Sequence, residues 1–121
     1  MSANPEFVAY ISDQLDPLGP LGSGKFFGGH AFKSGGIQFA MIMGDTLYLR
    51  VDDGLREDFE NLGSQAFSYQ GSRGRVQVKS YYALPDGDVD DQDAMLVWAR
   101  RSISAAEKAN AKKSKKPKKK K

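Results

Sequence analysis

Hydrophobic and polar positions recur along this chain in two rhythms, and each change of rhythm marks an element boundary. Phe7, Val8, Ile11 and Leu15 are spaced for one face of a helix, and Asn4-Pro5-Glu6 ahead of them supplies an N-cap, a first-turn proline and a first-turn acid. Asp16-Pro17-Leu18-Gly19-Pro20 stops that helix, and a glycine-rich loop is expected up to Gly24. The rhythm then shortens to two. Strands are predicted over residues 26–33, 37–43 and 46–51, separated by Ser34-Gly35-Gly36 and Gly44-Asp45, which reach positive φ cheaply. Ile37, Phe39, Met41 and Met43 are expected on one face of the second strand, and Leu47, Leu49 and Val51 on one face of the third.

Asp52-Asp53 predicts a helix cap, with Leu55, Phe59 and Leu62 turned inward and Gly63 as the stop. Two further strands, over residues 67–69 and 76–84, flank Gly71-Ser72-Arg73-Gly74, and Pro85 closes that segment. A last helix starts at Asp90-Asp91, carries the stripe Met95, Leu96, Trp98, Ala99, Ile103 and Ala106, and is expected to fray after about Asn110. Strands linked by tight turns imply an antiparallel sheet. The expected fold is therefore α+β, with about five strands and three helices on one side. Residues 1–110 form the domain and residues 111–121 a disordered lysine-rich tail.

Charge changes this picture, because it is divided along the chain. The net charge is +3, but Lys112, Lys113, Lys115, Lys116, Lys118, Lys119, Lys120 and Lys121 contribute +8, so the body carries −5. The basic isoelectric point describes the tail alone. Such a tail would bind DNA or RNA without sequence preference and lose affinity steeply with salt; it holds no aromatic residue on which bases could stack. The absence of cysteine excludes disulfides and thiolate chemistry and fits a reducing cytoplasm. No apolar run approaches the roughly 20 residues that span a bilayer, and no basic-then-apolar leader precedes the first helix. A cytoplasmic protein with no membrane association is expected.

Candidate chemistry is sparse. Gly19 to Lys25 spells G-x-x-x-x-G-K, but Phe26 stands where a phosphate loop needs Ser or Thr, and the stretch leaves a helix and enters a strand, the reverse of what phosphate binding requires. Asp86-Gly87-Asp88-Val89-Asp90-Asp91 begins like a calcium loop, yet Asp91 replaces its glycine and Val97 its bidentate acid. His30 is the single histidine and has no cysteine to share a metal with. Ser80, Tyr81 and Tyr82 have no evident base beside them. Gly28-Gly29, within a predicted strand, suggest a bulge or a close backbone approach. No catalytic residue, metal site or cofactor site is indicated, and the chain reads as a non-enzyme.

Phe26-Phe27-Gly28-Gly29, Ile37-Gln38-Phe39-Ala40, Leu47-Tyr48-Leu49-Arg50, Phe67-Ser68-Tyr69, Ser80-Tyr81-Tyr82-Ala83-Leu84-Pro85 and Trp98-Ala99-Arg100-Arg101 follow one another in an order that resembles the N-terminal domain of the TfoX/Sxy competence regulators, over about residues 5–107. Lys25-Phe26 stands where that family has Arg-Met, and the lysine tail takes the place of its C-terminal helical domain. The resemblance implies a secretion-chaperone-like α+β fold, a role in promoting transcription together with other regulators, and no enzymatic activity. It makes Phe26, Phe27, Gly28, Gly29, Tyr48, Tyr69, Ser80, Tyr81, Tyr82, Pro85 and Trp98 the residues that either build the fold or meet a partner. The leading expectation is an interaction module that binds a protein partner through its sheet or a helix groove, and a homodimer is compatible with it. The alternative is a small nucleic-acid-associated protein that binds through its lysine tail. A small-molecule binder is a weaker third reading.

Overall fold

The computed structural model describes residues 3–115. Helix α1 (Pro5–Gln14) begins as its cap predicts, the Glu6 amide donating to Asn4 Oδ1 at 3.0 Å. A 3₁₀ turn at Asp16–Leu18 follows. Six strands come next, not five: β1 (Gly22–Phe26), β2 (Gly29–Ser34), β3 (Ile37–Met43), β4 (Thr46–Arg50) and, after helix α2 (Asp53–Asn61), β5 (Ala66–Gly71) and β6 (Gly74–Ala83). They form one antiparallel sheet in the order β1-β2-β3-β4-β6-β5. A one-turn helix α3 (Asp86–Val89) and the long α4 (Gln92–Lys115) complete the described chain.

The additional strand arises because the chain turns inside the segment expected to be one strand. The segment 26–33 does not run straight; it folds back at Phe27-Gly28, and the supposed glycine-rich loop becomes the edge strand β1. Gly28 therefore sits in a turn, while Gly29 is a strand residue. The last helix also continues to Lys115, past the fraying expected at Asn110. The expected disorder and nucleic-acid contacts of residues 116–121 lie outside the described residues.

Two irregularities shape the sheet. Phe32 faces Ala40 while Lys33 faces Gln38, which leaves Phe39 as an extra residue bulged out of β3. The bulge shifts the parity of everything after it. Phe39 and Ile42 enter the core under the helices, whereas Met41 and Met43 emerge on the opposite face, so the expected single face for Ile37, Phe39, Met41 and Met43 is wrong. The hydroxyl of Ser102 on α4, fully buried, donates to the Phe39 carbonyl at 2.7 Å and ties the bulge to the helix. Ser102→Ala should cost about 1–3 kcal/mol by stranding that carbonyl, while Ser104→Ala on the exposed side of the same helix should cost almost nothing; urea denaturation of the pair measures the difference.

The second irregularity lies between β5 and β6, where Ala66 faces Tyr82 but Phe67 faces Val78. The three β6 residues left between them let its outer half bend away with β5, while its inner half stays paired with β4.

The main core fills the space between sheet and helices, around Phe39, Phe59, Ile11, Leu15, Leu47, Leu49 and Met95, all essentially inaccessible. Leu62, expected inward, is 56 % exposed, because the helix ends before its next inward position and Leu62 becomes the C-cap. Trp98 lies in the core margin, 4.7 Å from the Phe59 ring, with its indole N–H donating to Asp88 Oδ2 at 2.7 Å. Helices α1, α2 and α4 contribute to this core, and among the described residues no helix covers the other face of the sheet.

Candidate functional site

The uncovered face has an apolar surface of its own. Met41, Met43 and Tyr81 are buried there, with Phe26, Tyr48, Phe67 and Val78 packed against them. The reason is legible in β3: Phe39-Ala40-Met41-Ile42-Met43 is an unbroken apolar run, which a strand carries when both of its faces are shielded from water. Yet no described helix lies on this side. What shields it is the curvature of the sheet itself. Phe26 on β1 and Phe67 on β5 belong to opposite edges, which a flat six-stranded sheet would hold about 24 Å apart. Here both line one hollow of about 400 Å³, together with Phe27, Met41, Tyr69, Val78 and Tyr81. The break in β6 makes the bend, swinging the β5–β6 hairpin over the face until Phe67 meets Tyr48 edge-on at 5.1 Å.

The opposite wall is the β1–β2 turn. Phe27 and Gly28 both have positive φ, 50° and 83°, the pattern of the tight turn whose twist matches a hairpin. Gly suits that backbone; Phe does not, and its left-handed conformation costs roughly 1–2 kcal/mol. Phe27 is also 85 % exposed, touching Phe26 edge-on at 4.7 Å. Gly29 is buried, and a Cβ there would collide with the Ile42 carbonyl oxygen and come within 2.5 Å of Met43 Sδ. This is the close backbone approach that the paired glycines suggested. It presses the turn against β3 and so fixes where Phe27 stands.

The floor is polar at one end only. Gln38 Nε2 donates to the Tyr81 hydroxyl at 3.2 Å, and the Arg50 guanidinium lies 5.8 Å over the Tyr81 ring. Tyr69 stacks on Phe67 with ring centres 6.1 Å apart and remains 47 % exposed.

The motif residues thus separate into two groups. Phe26, Phe27, Gly28, Gly29, Tyr48, Tyr69 and Tyr81 build the groove. Tyr82, Pro85 and Trp98 belong to the helix side: the Tyr82 hydroxyl donates to Glu60, Pro85 starts α3, and Trp98 packs on Phe59. Burial, followed by that hydrogen bond to a carboxylate, raises the Tyr82 phenol above its ordinary pKa. Ser80 contributes its carbonyl, which accepts from the Val51 amide at 2.9 Å at the break in β6. Met41 and Met43, which alternation groups with Phe39, and Val78, which no motif marks, complete the groove face.

The other candidates have structural employment. Asp88 holds Trp98, Asp90 accepts from the Tyr10 hydroxyl at 2.8 Å, and Asp91 caps α4 through the Ala94 amide at 3.1 Å, so the calcium-like segment is a helix junction. Gly24 and Lys25 lie in edge strand β1, and His30, opposite Lys25, touches Phe32 edge-on at 5.2 Å. No described helix is long and apolar enough to cross a membrane.

A sequence model of the TfoX N-terminal domain matches residues 13–106, a span that takes in all six strands and the core-forming part of α4. No curated protein matches the chain.

Proposed function

The chain belongs to the TfoX N-terminal domain family, a membership that supports a regulatory module, and from that premise we propose that it acts by docking a protein partner into the groove and catalyses no reaction. One observation carries this reading: Phe27 is placed against the interests of the isolated domain twice over. Its backbone is strained and its ring is 85 % exposed. Strain and exposure at one bulky residue find their use in an interaction, where the ring becomes an anchor in a partner's pocket. The groove beside it is lined almost wholly by apolar side chains, which suits a partner's side chains better than a polar substrate. Its residues offer no acid and base within reach of each other and of one cavity, so the reading is of binding alone.

Two measurements check it. Phe27→Asn creates the Asn-Gly sequence that this turn favours and should stabilise the domain by roughly 1 kcal/mol in urea denaturation. The same substitution should abolish partner binding. A photo-crosslinking phenylalanine analogue at position 27, introduced in the cells of origin, should give a discrete protein adduct that disappears with Tyr69→Ala. The same analogue at exposed Val97 on α4 should give none. Equal adducts from both positions, or none from either, would remove the groove from the function.

A further inference from the structure

The charge that the strands place beside the groove points to the chemistry of the partner. Not one Asp or Glu lies in any of the six strands; the carboxylates occupy helices, helix junctions and the tight turn at Asp45. The strands carry Lys25, Lys33, Arg50, Arg75 and Lys79. Among the described residues the ion pairs are Arg56 with Asp53 and Arg101 with Asp58, both on the helix side, so none of these five strand cations is paired with a carboxylate. The strands' own charge is thus purely positive, and alternation divides it: Lys25, Arg75 and Lys79 fall on the helix side, and the groove side keeps Lys33 and Arg50 with no strand carboxylate beside them. Lys33 and Arg50 face the groove side by strand alternation, Lys33 across from Gln38 and Arg50 across from Tyr81.

Resting on the docking reading above, we propose that the groove receives an acidic amphipathic protein segment: apolar side chains inserted between Phe27 and Tyr69, with Asp or Glu flanking them and meeting Lys33 and Arg50. Both halves of this chemistry are needed. An apolar groove rewards apolar anchors, while unpaired cations around it attract carboxylates and repel bases, steering approach and selecting among apolar partners. The chain's own lysine tail has the wrong sign for this face. Two copies meeting groove to groove would bring Lys33 and Arg50 toward their own equivalents. The aromatic lining can stack unpaired bases, but a nucleic-acid strand also needs a continuous row of cations along its phosphates, and the groove side carries two strand cations, Lys33 and Arg50.

The test uses the full chain and four labelled probes: a short synthetic amphipathic peptide with Leu and Phe anchors and Glu flanks, the same peptide with Gln flanks, the same with Lys flanks, and an oligothymidine. The Glu peptide should bind roughly tenfold more tightly than the Gln peptide at low salt, converge with it as salt rises, and shift the amide resonances of Phe27 and Tyr69. Lys33→Glu with Arg50→Glu should reverse the order in favour of the Lys peptide. Lys33→Glu alone, at an exposed position, keeps the comparison valid should Arg50→Glu misfold. Equal affinity for the Glu and Gln peptides at the groove would overturn the charge assignment and leave the docking reading standing. Failure of the Glu peptide to bind overturns the assignment as well, and the crosslinking at position 27 then decides the docking reading separately. Oligothymidine shifting the same resonances would reassign the face to nucleic acid, and concentration-dependent self-association removed by Phe27→Asn would reassign it to a second copy.

Discussion

Gly29→Ala is expected to destabilise the domain by about 3 kcal/mol, a large effect for one methyl group. The added Cβ would meet the Ile42 carbonyl oxygen and Met43 Sδ. The thioether can rotate away, but the carbonyl belongs to the neighbouring strand and can move only if β2 and β3 separate. Gly24→Ala is the matched control, because nothing lies within 4 Å of a Cβ there and its φ is not positive. It should be neutral or slightly stabilising, through the reduced freedom of the unfolded chain. Urea denaturation of both variants, read as midpoints at constant slope, gives the comparison. Equal losses would mean that glycine is needed for flexibility along the whole hairpin, and not for contact at Gly29.

Phe59→Ala should cost about 3–5 kcal/mol and lower the thermal midpoint by roughly 15–25 °C. Phe59 is fully buried and sits where α2, α4 and the sheet meet, with Trp98 4.7 Å away. Its removal leaves a cavity that the Trp98 ring cannot fill freely, since its indole nitrogen is held by Asp88. Leu62→Ala, three residues on and 56 % exposed, should change stability by no more than about 0.5 kcal/mol. Differential scanning calorimetry separates the two, and a Phe59→Ala protein that melts with the wild type would show that α2 does not contribute to the cooperative core.

These contrasts also show how much could be read from the chain. The starts of α1 and α2 follow from Asn4 and Asp52, because a cap is a local hydrogen bond between near neighbours. The inner stripe of α4 follows from its spacing, with Met95 and Ala99 fully buried. The α+β class follows from the sequence of tight turns, and the motif order from Phe26 to Trp98 identifies the family.

The site was only half legible. Alternation shows which residues of a strand share a face, but it cannot show which face, and one bulged residue reverses the answer. Phe39 does this to β3, placing Met41 and Met43 opposite to expectation. Phe27 looks like a strand residue, since aromatic rings favour strands; it becomes a turn because Phe26 and Gly29 pair across it and Gly29 packs on Ile42, contacts made with another strand. Likewise Asp90 becomes a tether for Tyr10 only when α1 is brought against the α3–α4 junction, and Asp88 a tether for Trp98 only when α3 folds back on α4. The groove itself joins β1 to β5, opposite edges of the sheet, through a bend that lies in the pairing of β5 with β6. Caps, stripes and turns are set by residues within a few positions of each other, and the sequence determines them. Which face is buried, which aromatic is left exposed and which distant strands share a cavity are set by pairing between segments, and only the tertiary structure decides those.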